Sequence, residues 1–249
     1  MKRRRSRRLA SYATGRFLRL LRLNRNLWWL LIAAAILLTT SSRILVAYYL
    51  ANDAPGDGVV YARLGKNMLE QGVFSIEEEA PYSPTLIRMP AYPLFVAGVY
   101  SIFGHDNNTA VRVVQAVVDT GTCLIVAVIA GLWAEGNRRK LRAQLWTFAL
   151  AALCPFIVIY TATILTETLT TFFLAAMILT ATLALRSERV TRAATLWITT
   201  GLLAGLSVLL RPDAGLFALG IGLTIVVTGL FFAEREPRTF VSRVLSVGW

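Results

Sequence analysis

Apolar residues run along this chain in blocks, without the strict alternation of half-buried strands. Six blocks approach or exceed the roughly 20 helical residues needed to cross a bilayer. They cover about 27–50, 109–133, 141–160, 165–185, 193–210 and 214–233. The stretch 141–185 is too long for one crossing, so it must turn back as a hairpin near 160–166. The segment 51–108 is different. Tyr61, Leu64, Met68 and Leu69 recur at helical spacing before Gly72, which reads as a short amphipathic helix. After the Pro90/Pro93 break, 91–103 is apolar but too short to span comfortably, and it is expected at the membrane surface. The pattern predicts an all-α polytopic membrane protein with about six transmembrane helices and a long loop carrying interfacial helices.

Composition agrees. Of 249 residues 56% are apolar and 16% charged, against about 25% charged in soluble domains. This excludes a soluble domain, a disordered chain and a disulfide scaffold. The net charge of +12 gains meaning only when mapped. Ten of the 26 basic residues precede Trp28, and three further clusters follow at Arg138/Arg139/Lys140/Arg142, Arg186/Arg189/Arg192 and Arg235/Arg238/Arg243. Seven of the 14 acids fall between Asp53 and Asp106. The positive-inside rule then puts all four basic clusters in the cytoplasm and the 51–108 loop outside. The chain is therefore expected in the plasma membrane, N-terminus cytoplasmic, with a basic cytoplasmic segment at 1–26, a transmembrane domain at 27–233 and a cytoplasmic tail or truncated connector at 234–249. No nucleic-acid partner is expected.

The first block is too long for a cleaved signal peptide. The Arg and Leu mixture at 17–23 suits the anionic inner leaflet, with retention of topology as its role. Cys123 and Cys154 lie inside blocks and read as small packing residues. Gly201-x-x-x-Gly205 permits close helix contact, expected within the chain. Glu77-Glu78-Glu79 reads as a solvated turn. No P-loop, dinucleotide fingerprint or His-based metal motif is present, and His105 is the only histidine.

Candidate chemistry concentrates at the outer ends of the blocks. Asp57, in Pro55-Gly56-Asp57-Gly58, has two readings: a general base at the mouth of a membrane cavity, or an Asx-turn residue between glycines. Arg88 can hold a phosphate at headgroup level or snorkel as an interface anchor. Within the blocks, ionisable groups are costly and therefore noteworthy. Arg112, Gln115 and Asp119 share one helical face, and Arg43 and Asp119 fall at similar depths, which predicts a structural pair. Glu167 opens its helix, where the dipole alone favours an acid. Arg211-Pro212-Asp213 closes the fifth block. Under this topology Asp57, Arg88, Glu167 and Arg211 all surface on one face of the membrane.

Five boxes in this order resemble a family. They are Asp57 with Tyr61-Ala62-Arg63-Leu64-Gly65-Lys66-Asn67-Met68-Leu69-Glu70-Gln71-Gly72, then Arg88-Met89-Pro90-Ala91-Tyr92-Pro93-Leu94-Phe95, Val111-Arg112-Val113-Val114-Gln115, Leu165-Thr166-Glu167 and Leu210-Arg211-Pro212. Over about 27–233 the chain is similar to the N-terminal half of a C-type (GT-C) membrane glycosyltransferase of the protein O-mannosyltransferase and lipid A aminoarabinose-transferase kind. The resemblance implies transfer of a sugar from a polyprenyl-phosphate donor to a lipid, protein or polysaccharide hydroxyl on the outer face, with inversion. It implies Asp57 as the base or acceptor-orienting group, and Arg88, Tyr92, Glu167, Arg211 and Lys66 as substrate-binding, with Arg63 a weaker helper beside Lys66. Arg43, Arg112 and Asp119 remain structural. Gly58 stands where many relatives carry a second acid, so no paired-carboxylate metal site, and no cofactor, is expected. Relatives continue into further helices, which leaves a catalytically inactive or truncated membrane subunit as the alternative, ahead of a transporter or flippase.

Overall fold

The computed structural model describes residues 25–50 and 56–232. The expected tail 234–249 and residues 1–24 of the basic segment lie outside the described residues. Over those described the chain is an all-α membrane protein, without strands. Its helices are α1 (Arg25–Tyr49), α2 (Asp57–Glu70), α3 (Ala91–Phe103), α4 (Asn108–Trp133), α5 (Asn137–Ala152), α6 (Pro155–Tyr160), α7 (Glu167–Leu185), α8 (Val190–Leu210) and α9 (Gly215–Phe232), with a 3₁₀ turn at Pro212–Ala214. Four of them are long and apolar enough to cross a membrane: α1 from Trp29 onward, α4, α7 and α8. They correspond to the first, second, fourth and fifth apolar blocks.

Residues up to Ser41 form one compact unit and those from Ser42 a second. The first holds most of α1, whose Trp29, Leu30, Leu37 and Leu38 side chains are exposed, as lipid-facing residues are. Thr40 returns its hydroxyl to the Ile36 carbonyl at 2.9 Å, the usual way for a helix to satisfy a hydroxyl that water cannot reach. All packing described below lies within the second unit.

The third apolar block is not one helix. Its α5 begins at Asn137, so Arg138, Arg139, Lys140 and Arg142 belong to the helix and shorten its apolar length. It then stops at Ala152, and six residues of α6 follow. Pro155 is the cause: it cannot donate a backbone hydrogen bond and pushes the preceding residue out of the helical region. Cys154 accordingly sits at φ −70°, ψ 109°. A break leaves the last carbonyls of a helix without partners, a costly state away from water. Here the Cys154 N–H reaches the Ala151 carbonyl at 3.3 Å, and a side chain adds further donors. Arg43 donates from Nη1 to the Ala152 carbonyl at 3.2 Å and from Nη2 to the Ala151 carbonyl at 3.3 Å. The same guanidinium donates from Nε to Asp119 of α4 and from Nη2 to Cys123 Sγ at 3.3 Å. Arg43 and Asp119 are both fully buried, and they form the pair that their depths predict.

Glycines mark the close approaches, but not where the small-residue spacing suggests. Gly201 and Gly205, expected to admit a neighbouring helix, face nothing within 4 Å among the described residues. The contact of α8 with α7 uses another face, on which the Thr200 hydroxyl donates to Thr180 Oγ1 at 2.8 Å. Tight approaches lie elsewhere: at Gly131 of α4 an added Cβ would sit 2.5 Å from Gln144 Nε2, and at Gly65 of α2 it would sit 2.7 Å from Val96 Cγ1 and 3.1 Å from the Pro93 carbonyl oxygen. This seats α2 on α3 over a core that includes Tyr61, Tyr92, Val96 and Tyr100.

Two outcomes follow. Arg43→Met should destabilise the protein by about 3–5 kcal/mol, because it strands a buried carboxylate, and the double variant Arg43→Met/Asp119→Leu should recover much of that loss; denaturation in detergent measures both. Gly65→Ala should cost about 1–3 kcal/mol through overpacking against Val96, seen as a lowered Tm with unchanged helix content by circular dichroism.

Candidate functional site

The first residue of α2 is Asp57, at the position where an acid complements the helix dipole. One turn later Tyr61 lies on the same face. Arg88 precedes α3, which Pro90 and Pro93 start sharply. Its Nη2 donates to Asp57 Oδ1, its Nη1 to the Ile87 carbonyl at 3.2 Å, and its guanidinium carbon stands 5.9 Å from the Tyr61 ring centroid. Arg88 Nε is buried and has no partner among the described residues.

A second pair faces the first. Glu167 opens α7, and Arg211 follows the last residue of α8. Arg211 Nη1 donates to Glu167 Oε1 at 2.9 Å, and its Nε donates to Asp213 Oδ1 at 3.1 Å. Glu167 Oε2 is buried and unpartnered among the described residues. The two pairs line a single pocket of about 470 Å³, with Tyr61, Thr166 and Asp213 completing its polar wall and Leu86, Ile87 and Met89 part of the apolar one. Burial pushes the Tyr61 phenol above its ordinary value, against the opposing charge of Arg88. It therefore stays protonated and offers a hydrogen-bond donor.

Buried contacts hold these segments in register. Tyr61 packs edge-on to Tyr92, ring centroids 4.9 Å apart, in the geometry aromatic quadrupoles favour. The Tyr92 hydroxyl donates to Gln115 Oε1. Gln115 Nε2 in turn donates to the Thr163 carbonyl at 2.7 Å, in the turn that delivers Glu167. Gln115 thus couples α3 and α4 to the backbone just before α7.

Not every residue implied by the family boxes reaches this pocket. Asp57, Arg88, Glu167 and Arg211 do. Tyr92 is fully buried beneath Tyr61, and Arg112 is buried within α4. Lys66 lines a separate pocket of about 370 Å³ with Arg63, Glu70, Glu77, Glu78 and Asp106. Its ammonium bonds Asp106 at 2.6 Å, and that bond raises its pKa. Helical phase separates them: Lys66 follows Ala62 and Arg63 by four and three residues, on the far side of α2 from Asp57 and Tyr61. The sequence reading missed Tyr61 and Asp213 as pocket walls. The i, i+4 spacing of Asp57 and Tyr61 would have shown the former, given a helix that starts at Asp57. Among the described residues no group of three or more His, Cys, Asp or Glu is placed to hold a metal ion.

A family model described as dolichyl-phosphate-mannose-protein mannosyltransferase matches residues 84–247. The match takes in Arg88, Glu167 and Arg211 and begins after Asp57. No curated protein and no solved structure matches the chain.

The coupling through Gln115 is testable without substrate. Gln115→Leu should cost about 1–3 kcal/mol by leaving the buried Tyr92 hydroxyl and the half-buried Thr163 carbonyl unpaired, and Tyr92→Phe should cost less because it removes only the hydroxyl. Unfolding in detergent gives the costs, and spin labels at Ile87 and Thr166 should show a broadened distance distribution in Gln115→Leu.

Proposed function

We propose that this chain, which belongs to the dolichyl-phosphate-mannose-protein mannosyltransferase family, transfers a sugar from a polyprenyl-phosphate carrier to an acceptor hydroxyl at the outer face of the plasma membrane, with inversion at the anomeric carbon. Membership makes it a membrane glycosyltransferase of the GT-C type that draws on a lipid-linked sugar. The finer reading is carried by one observation: Asp57, Arg88, Glu167 and Arg211, from four separate segments, line one pocket. The orientation rests on the distribution of Lys and Arg, which assigns that pocket to the outside.

Each residue has a task in this scheme. Arg88 and Arg211 bind the carrier phosphate, a planar guanidinium being well matched to phosphate oxygens. The acceptor oxygen attacks the anomeric carbon as its proton passes to Asp57. The bond from that carbon to the phosphate oxygen breaks on the opposite side. The polyprenyl phosphate leaves with the bonding pair, and the two arginines meet the charge that develops. Arg88 is held by Asp57, and Arg211 by Glu167 and Asp213. An arriving phosphate exchanges one anion for another at Arg88 and so frees the Asp57 oxygen for the acceptor. Tyr61 donates its phenolic hydrogen towards the phosphate, with Tyr92 supporting it from beneath, and Lys66 serves the neighbouring pocket.

Turnover of a labelled polyprenyl-phosphate mannose in lipid nanodiscs tests the assignment. Asp57→Asn should lower the rate by about 10²–10⁴ while the carrier still binds. Arg88→Ala should weaken carrier binding by roughly tenfold or more, and the carrier that co-purifies with the wild type in native mass spectra should be lost. Full turnover in Asp57→Asn would overturn the base assignment. Bulk phospholipid bound equally by wild type and Arg88→Ala would instead favour a non-catalytic membrane subunit.

A further inference from the structure

A second crevice adjoins the pocket and shares Glu167 with it. Its volume is about 170 Å³, and its lining includes Asp119, Phe156, Tyr160, Glu167, Thr168 and Thr171. Apart from the Tyr160 hydroxyl, its side-chain polar groups have only acceptor positions to offer. Asp119 is fully buried, with Oδ2 on Arg43 and Oδ1 without a partner among the described residues. Glu167 Oε1 is taken by Arg211, and its Oε2 is likewise buried and unpartnered. The Thr168 hydroxyl donates to the Tyr160 carbonyl at 3.3 Å and the Thr171 hydroxyl to the Glu167 carbonyl at 2.8 Å. Both spend their hydrogen and keep only oxygen lone pairs to offer. The walls present acceptors in excess, and buried acceptors left unpaired are costly. The guest that suits them is therefore a donor of several hydrogen bonds.

The rest of the lining narrows that class. A phosphate brings only acceptors and would face two carboxylates. A bare prenyl chain would leave every acceptor unpaired. A sugar ring presents several hydroxyl hydrogens and an apolar C–H face, which suits carboxylates and threonine oxygens on one side and the Phe156 and Tyr160 rings on the other. Contiguity points the same way. Glu167 joins the crevice to the pocket whose arginines suit a phosphate, so one glycosylated carrier can occupy both.

We infer that the crevice between α4, α6 and α7 is the donor-sugar subsite, in which Asp119 and Glu167 accept hydrogen bonds from sugar hydroxyls beneath Phe156 and Tyr160. This rests on the proposed carrier-phosphate pocket. It gives the Asp119 carboxylate two functions, one oxygen holding Arg43 and the other reading the sugar. It also makes Glu167 the hinge between phosphate and sugar recognition. A site built to hydrogen-bond hydroxyls discriminates strongly against a ligand that lacks them.

The test separates the subsite from the pocket it extends. The full chain in nanodiscs is titrated with polyprenyl phosphates bearing mannose, glucose or arabinose, and with the bare polyprenyl phosphate, and bound fractions are read by native mass spectrometry. At least one glycosylated carrier should bind roughly tenfold tighter than the bare one. Phe156→Ala, at an exposed position, and Thr168→Val, which keeps the side-chain volume, should each pull that ratio towards one. Equal wild-type affinity for all four ligands would overturn the sugar subsite and leave the crevice to water, with the phosphate pocket intact. Variants that weaken bare and glycosylated carriers in proportion would overturn it in favour of the prenyl chain. Failure of the wild type to bind any of the four would overturn the phosphate pocket, and the subsite with it.

Discussion

A guanidinium buried at membrane depth is the constraint around which the second unit is arranged. Arg43 cannot reach water, so its donors must be met by protein. Asp119 neutralises it, and the Ala151 and Ala152 carbonyls accept two further hydrogen bonds. Pro155 ends α5 there and denies the Ala151 carbonyl its usual donor four residues on, leaving it the Cys154 N–H at 3.3 Å and the arginine. The proline break and the buried arginine are two halves of one arrangement, since each would be expensive alone. Together they fix α4 against the end of α5 and set where α6 and the turn before α7 begin.

From that anchor the site is built by relay. Gln115 lies one turn above Asp119 on α4 and holds the Thr163 carbonyl, which places the start of α7. The same amide side chain accepts from Tyr92, and Tyr92 carries Tyr61 and hence the face of α2 that begins with Asp57. Gln115 and Tyr92, which do not line the pocket, thus help to place the segments that do. Pre-organisation of this kind is what a charge-stabilising site requires, because fixed groups need not reorganise as charge develops. The two ion pairs hold the arginines in position.

Helix α2 shows how one short amphipathic element divides its charges. Its Asp57 and Tyr61 face the arginine pocket, whereas Arg63 and Lys66 face away towards Glu78 and Asp106. Cations six and nine residues from a carboxylate in sequence are thereby kept out of its pocket. Arg88, distant in sequence, is brought to Asp57 by the chain reversal that leads into α3.

The sequence by itself determined that the chain is an all-α membrane protein, where its long helices run, and that Arg43 meets Asp119. Apolar blocks, proline breaks and helical rise are local quantities, and a buried charge at a known depth has few possible partners. Motifs in linear order also picked out four of the charged residues that line the pocket, Asp57, Arg88, Glu167 and Arg211, but not Tyr61 or Asp213. Only the tertiary structure shows that Lys66 and Tyr92 lie away from that pocket, that a Cβ at Gly201 or Gly205 would meet nothing described within 4 Å, and that the third block breaks into two helices at a point where Arg43 joins the end carbonyls. Such outcomes depend on helical phase and on which face meets a neighbour. A shift of one residue in a helix start rotates its side chains by about 100°, and a sequence pattern fixes helix starts less finely than that.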